Sequence, residues 1–320
     1  MKITVFAPGV VREAAPEELP ALLATDGTLF WVDMTGPTDE DLHVLSEVFR
    51  FHPLAIEDTH NQEQRPKVET YANETFIIFN AVTLNGDETF ATRELDVFLG
   101  ERFLVTVHAA PEPLVEEALR RVCRAPAQLA ASARHLCYVL ADVLVDHIFP
   151  VMDAIEQESE ILSDIVLAQP DQSSLNRLFT LKRWGAEVWR LVWVQREMLN
   201  DLAHEWDIQG GGTDLRYYMR DVIDHLTLLA DMMSVQRDMI TGLIDLYMSA
   251  TSNRLNVIVN RLTVITVAIG VLTVFGGFYG MNFLQTWPPF EAWWGVPVVI
   301  LMMAAVVAVL LREFRRRGYL

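Results

Sequence analysis

An α/β domain, followed by long helices and ending in two membrane-spanning helices, is the fold class this sequence predicts, and three observations predict it. Apolar weight is concentrated at the C-terminal end, where no charged residue occurs between Arg261 and Glu291, and none again between Glu291 and Arg312. The β-prone runs all lie before His108, and from Ser132 onward the pattern is almost entirely helical. A composition that is 51% hydrophobic is high for a purely soluble chain of 320 residues.

The strands come first. Alternating or continuous β-prone runs cover Lys2 to Ala7, Thr28 to Met34, Thr75 to Leu84 and Glu94 to His108, the last broken by Gly100-Glu101-Arg102 as a hairpin turn. Thr38 with Glu40 and Asp41 starts a helix leading into Leu42 to Phe49, and Pro113 to Val122 is a short amphipathic helix. Residues 1–125 are therefore expected to form an α/β domain. The Met1 to Phe6 run has a basic start but no apolar stretch of signal length before Pro8 and Gly9, so it reads as a strand and not as a targeting segment.

Residues 126–255 follow as a long-helix region. One helix is expected from Ser132 to about Ala168, a break at Gln169-Pro170-Asp171, a second helix from Ser173 to about Glu205, and a loop at Gly210-Gly211-Gly212. The next helix, from about Leu215, meets only Gly242 before it enters the apolar segment. It is expected to run on as a rod on the order of 100 Å long, which neighbours must cover.

Residues 256–282 form the first membrane helix, whose apolar part from Leu262 to Gly280 spans about 28 Å, close to the hydrocarbon thickness of a bilayer. Residues 283–291 form a short extracytoplasmic loop, 292–312 the second span, and 313–320 a basic tail. The alternative, a pair of buried core helices, conflicts with the length of the uncharged runs and with Trp287, Trp293 and Trp294 at interfacial positions. Arg254 and Arg261 precede the first span, Arg312, Arg315, Arg316 and Arg317 follow the second, and the connecting loop carries no Lys or Arg. Both termini and the large N-terminal part are therefore expected in the cytoplasm.

Charge and cysteine content narrow the function. A formal net charge of -18 argues against nucleic acid as a partner and for self-repulsion that a cation could relieve. The two cysteines, Cys123 and Cys137, give neither a disulfide framework nor a thiolate zinc site. No phosphate-binding glycine loop and no nucleophile with a placed base occurs, so no enzyme is expected. His52, Glu57, Asp58 and His60 are ligand types at short spacing but read as structural. Asp153, Glu156, Glu158, Glu160 and Asp164 read as a solvated acidic face, with cation attraction as the alternative.

Two spans are too few to enclose an ion path, because polar groups in hydrocarbon need internal partners; a pore requires several subunits. Asp245, Ser252, Asn256, Val259, Thr266, Gly270, Thr273 and Gly277 recur at helical spacing and form one seam of small or polar residues. Such a seam also suits close helix packing through Gly270, Thr273 and Gly277. The hydrogen-bonding side chains of Asp245 and Asn256 on the same seam favour an ion-lined axis.

At Tyr279-Gly280-Met281-Asn282, ahead of a short loop and a second span, the sequence resembles the CorA family of magnesium and cobalt transporters. The likeness extends through His52-Pro53-Leu54-Ala55-Ile56-Glu57-Asp58, Gln64-Arg65-Pro66-Lys67-Val68-Glu69, Asp245-Leu246-Tyr247-Met248-Ser249 and Ser252-Asn253. The resemblance implies a funnel-shaped homopentamer whose first spans line a pore for Mg²⁺, with Co²⁺ and Ni²⁺ also admitted, in the plasma or inner membrane. It places the entrance at Gly280, Met281 and Asn282, where neutral oxygens hold an ion that gives up its water reluctantly. It places polar rings at Asp245, Asn256 and Thr273 and an apolar constriction at Leu262. Many members carry a bulky Met where this chain has Gly270, so either Leu262 closes the pore alone or Val259 and Val271 assist. Feedback by cytosolic Mg²⁺ is implied at Asp221 and Asp87. A ZntB-like zinc transporter, with or without proton coupling, and a membrane-anchored metal sensor remain the alternative readings.

Overall fold

The computed structural model describes residues 1–320 except 8–9, 63, 85–89, 169, 209–212, 282–286, 290–291 and 319–320. The chain divides into two compact units, Met1–Ser163 with Asn176–Gly242, and Asp164–Leu175 with Leu243–Leu320.

The first unit begins with β1 (Lys2–Ala7), β2 (Val10–Ala14), a 3₁₀ turn at Pro16–Glu18, α1 (Leu19–Ala24) and β3 (Leu29–Thr35). There follow α2 (Asp39–His43), α3 (Pro53–Asn61), β4 (Lys67–Thr70), β5 (Thr75–Leu84), β6 (Phe90–Leu99) and β7 (Phe103–His108). The strands form one seven-stranded sheet in the order β2-β1-β3-β7-β6-β5-β4. Only β3 and β7 pair in parallel, and the other neighbours are antiparallel.

The two-residue period of a strand explains why both faces of the sheet are covered. Ile3, Val5, Phe30, Val32, Phe76, Ile78, Phe98 and Val105 pack with Leu19 and Leu22 of α1, Leu45, and Ala55 of α3. The intervening residues Trp31, Ile77, Val97 and Leu104 are equally buried on the other face, where α6 (below) lies against β3, β6 and β7. Gly100, in the β6–β7 turn, is needed there: a Cβ would meet the Phe103 ring at 2.2 Å.

The expected helix at Leu42 to Phe49 is present in altered form. Thr38 caps α2 reciprocally with Asp41, its hydroxyl accepting from Asp41 N at 3.2 Å. Over Val44–Val48 the chain then winds wider, as a π-helical turn.

The helical part comprises α4 (Pro113–Arg124), α5 (Pro126–Leu129), α6 (Ala133–Asp146), α7 (Phe149–Ala168), α8 (Gln172–Ile208) and α9 (Thr213–Tyr279). The single helix expected from Ser132 to Ala168 is thus two. The break at His147 and Ile148 has a local cause, since Pro150 has no N–H to give and is tolerated only in a first turn, here that of α7. By contrast Gly242 does not interrupt α9, which continues as one helix of 67 residues.

In the second unit, Asp171 caps the start of α8, its carboxylate accepting from Ser174 N at 2.8 Å and from the Ser173 hydroxyl at 3.0 Å. The final helix, α10 (Gly295–Arg316), begins after Trp294 and carries Arg315 and Arg316 in its last turn. Among the described residues, three stretches are long and apolar enough to cross a membrane, but they differ in cover. The apolar window within Ala133–Ala168 is 61% buried, as a core helix is, whereas those in α9 and α10 are 6% and 11% buried. Apolar surface left open on this scale in water would drive association, so α9 and α10 are the membrane helices.

Candidate metal sites and the ion path

Helices α6 and α9 bring together the one group of potential metal ligands found among the described residues. Ligand atoms of Asp142, Asp221 and His225 all lie within 4.8 Å of one another. Asp221 and His225 are one turn apart on α9 and share a face. Asp142 reaches them from α6, a helix held down by nine buried residues including Leu136, Leu140 and Leu144. His225 Nδ1 is buried without a hydrogen-bond partner, and the ring meets Phe149 edge-on at 6.1 Å.

The surroundings are anionic. Burial, together with the charges of Asp142 and Asp221, pushes the Tyr138 phenol up to about 12. Burial and the neighbouring Asp146 raise the Asp142 carboxyl, against the opposing pull of Arg121. Arg121 of α4 donates through Nη1 to Asp142 Oδ2 and through Nη2 to Asp146 Oδ2, the latter at 3.2 Å.

Two carboxylates and an imidazole fit a divalent cation. Mg²⁺ is commonly held by one or two carboxylates with several waters retained, and the nitrogen donor favours Co²⁺ among other transition ions. The orphaned His225 nitrogen is a group that such an ion, or one of its waters, would satisfy.

Asp221 was expected as a regulatory ligand from the sequence, whereas Asp142 and His225 were not. The Asp221/His225 spacing was a readable signal. Asp142 carried none, because Ala141-Asp142-Val143-Leu144-Val145 reads as a core helix. Asp87, the other expected regulatory carboxylate, lies outside the described residues.

The seam lies on α9. Since the helix is unbroken, Asp245, Ser252, Asn256, Val259, Thr266, Gly270, Thr273 and Gly277 fall within about 100° of arc at 3.6 residues per turn. All eight are exposed in the single chain, as is Leu262. A Cβ at Gly270 or Gly277 would meet nothing beyond the helix's own backbone within 4 Å. Thr273 donates its hydroxyl proton to Ile269 O at 2.9 Å, leaving its oxygen lone pairs outward.

At the end of α9, Gly280 N donates to Gly276 O at 2.9 Å. A Cβ at position 280 would lie 2.9 Å from the same oxygen, so only glycine fits without a shift. Met281 is 59% exposed, and the Tyr279 hydroxyl donates to Trp287 O at 3.2 Å. Asn282 lies outside the described residues.

Among the other ligand-type residues, His52, Asp58 and Glu158 have structural partners. His52 accepts from Leu54 N at 3.3 Å and stacks on Tyr71 at 4.2 Å, while Asp58 pairs with Lys67 at 2.6 Å. On α7, Asp153, Glu156, Glu160 and Asp164 are exposed, and Glu158 is paired with Arg177 at 2.8 Å.

An α/β domain joined by a 67-residue helix to apolar terminal helices defines a membrane protein with C-terminal spans and a large part outside the lipid. Residues 26–316 match the family described as CorA-like Mg²⁺ transporter protein. YfjQ of Bacillus subtilis is 33% identical over 293 residues, 91% of this chain and 89% of that protein. The cobalt/magnesium transport protein CorA of Thermotoga maritima is 30% identical over 91% of this chain and 83% of its own length. The complete structure of the CorA magnesium transporter from Methanocaldococcus jannaschii superposes with a TM-score of 0.86 at 20% identity, over 100% of this chain and 99% of that one. The chain belongs to the CorA-like Mg²⁺ transporter family. It is a divalent metal transporter and not an enzyme.

Proposed function

We propose that this chain assembles into a homo-oligomer, a pentamer on the family pattern, that admits Mg²⁺ and also Co²⁺ through an axis lined by the α9 seam. The observation that carries this reading is the continuity of α9, which holds Asp221 and His225 toward one end and the seam toward the other. An ion bound by the first pair therefore touches the same helix that carries the seam. The domain boundaries expected from the sequence fit this arrangement, with residues 256–282 and 292–312 in the membrane of the cell and both termini in the cytoplasm.

Hydrated Mg²⁺ would meet neutral oxygens at Gly280 and Asn282, pass the seam at Thr273, Thr266, Asn256 and Ser252, and leave past Asp245. Neutral oxygens release such an ion faster than a carboxylate ring would. Leu262, at the edge of the seam, supplies the apolar constriction. In the cytosol, Mg²⁺ at Asp142, Asp221 and His225 offsets carboxylate repulsion and favours the closed arrangement; loss of the ion removes that bias.

Uptake into liposomes, with Mg²⁺, Co²⁺ and Zn²⁺ compared with and without a pH gradient, tests the reading. Mg²⁺ and Co²⁺ uptake driven by membrane potential, and lost in Asn282→Ala with the oligomer intact, is expected. Zinc uptake that needs a proton gradient, without magnesium uptake, would replace this reading with a zinc transporter; no uptake of any ion would leave a sensor.

A further inference from the structure

Within the cluster, Asp142 differs from its two companions. Among the described residues it is the one ligand already paired with a cation: Arg121 Nη1 donates to Oδ2, while Nη2 of the same guanidinium reaches Asp146 Oδ2 at 3.2 Å. Asp142 and Asp146 are one turn apart on α6, so the fork straddles two stacked carboxylates. The two carboxylates are not equivalent, since the Asp142 side chain is 14% exposed and that of Asp146 is 43% exposed. The guanidinium therefore has a nearly dry carboxylate on one side, which a divalent ion also needs, and a wetter one on the other.

The geometry points to Arg121 as a resident counter-ion that competes with the divalent cation for Asp142 and retreats onto Asp146 when the ion binds, so that it sets the affinity of the site. This rests on the reading of Asp142, Asp221 and His225 as a divalent-cation site. A carboxylate has lone pairs for more than one partner, but a doubly charged ion and a guanidinium on the same group repel each other. Two demands are met by one residue. Without the ion, Arg121 keeps the largely buried Asp142 carboxylate from standing unpaired, which would be costly. With the ion, the charge it contributes weakens binding, so the site empties as the free ion falls. Asp146 enters as the place to which the guanidinium withdraws and not as a ligand.

The test is Co²⁺ titration of the detergent-solubilised full-length protein, read both as heat and as protection of the same samples from trypsin. For unit and double charges about 6 Å apart in a water-like dielectric, Arg121→Gln should tighten Co²⁺ about tenfold. Arg121→Lys, which keeps the charge but not the fork, should remain near the wild-type affinity. Asp146→Asn should weaken Co²⁺ several-fold by pressing Arg121 onto Asp142, and that effect should vanish when Arg121→Gln is already present. An Arg121→Gln affinity within twofold of wild type overturns the inference, as does an Asp146→Asn effect of equal size in both backgrounds. If Arg121→Gln fails to fold, Arg121→Lys and Asp146→Asn still decide: unchanged affinity in Asp146→Asn overturns it. Asp142→Asn separates the two levels, because unchanged Co²⁺ protection there removes the site itself, whereas lost protection there with Arg121→Gln unchanged removes only the role of Arg121.

Discussion

Replacing Gly280 by alanine adds one methyl group at the point where the ion path is proposed to open. The chain offers no room for it. A Cβ at 280 would lie 2.9 Å from the Gly276 carbonyl oxygen, which is itself fixed by accepting from Gly280 N at 2.9 Å. Carbon and oxygen need several tenths of an ångström more, so either the hydrogen bond lengthens or the last turn of α9 unwinds. Overpacking of this kind costs about 1–3 kcal/mol. Gly276 and Gly277, by contrast, lie in regular helix and would place a Cβ with nothing beyond the helix's own backbone within 4 Å, so alanine there should favour the helix by up to about 1 kcal/mol. Thermal unfolding of the purified oligomer, together with Mg²⁺ uptake, measures the difference. Gly280→Ala should lower the midpoint by a few degrees and reduce uptake severely, while Gly276→Ala should not lower the midpoint. An unfolding midpoint for Gly280→Ala at or above that of wild type would refute the steric argument.

Gly270→Met places a long apolar side chain on the seam at a position where the chain leaves open space, so it should fold normally and slow Mg²⁺ uptake several-fold; unchanged uptake would remove Gly270 from the path. Asp142→Asn should raise the Co²⁺ concentration for half-maximal protection from trypsin by about tenfold or more, the equivalent of about 1.4 kcal/mol. His108 gives a pH dependence. Its ring contacts Asp33 Oδ1 at 2.9 Å and Ala110 O at 2.6 Å, both acceptors, so the imidazolium form is held. Burial lowers its pKa, but the hydrogen bond to Asp33, the charge of Asp33, the Ala110 carbonyl and the charge of Glu112 together raise it above 6.5. The resulting stability is fully present below about pH 6.5 and is lost as pH rises through the raised value. Wild-type protein should therefore lose urea resistance as pH rises above about 6.5, and Asp33→Asn should flatten that dependence; equal slopes would exclude His108 as the source.

What the sequence showed of the fold depended on whether burial left a periodic trace. β1, β5 and β7 bury three or more consecutive or alternating apolar residues and were readable. β2 and β4 are the two edges of the sheet and contain no buried residue at all, so no apolar period marks them. α3 faces the core with Ala55 and Thr59 while Leu54 is 56% exposed, the reverse of the pattern by which an amphipathic helix is recognised. α1 is six residues long, too short to display a period. The metal cluster divides in the same way: Asp221 and His225 belong to one helix turn, but Asp142 becomes a partner only once α6 and α9 are packed together.

For the ion path the relation is inverted, and the chemistry of the sequence says more than burial does. Between Ser252 and Gly280, Val264 is the one buried residue, so in a single chain burial does not distinguish positions facing lipid, neighbours or an axis. Residue type distinguishes them. Leu255, Ile258, Ile265, Ile269 and Val274 would be at ease against lipid, whereas Asn256, Thr266 and Thr273 would not. Thr273 could hide its polarity by bonding back to Ile269 O, as it does, but an asparagine amide at 256 has more donors and acceptors than one helix can satisfy. Asn256, nearly two turns before the apolar stretch begins at Leu262, therefore takes partners beyond its own helix: water, the same residue on neighbouring copies, or an ion with its waters. Asn256→Leu separates these. If the amides serve only to bond neighbouring subunits, the substitution should weaken the oligomer in detergent. If they face a hydrated ion, the oligomer should persist while Mg²⁺ uptake falls, and this second result is the one that the polar seam leads us to expect.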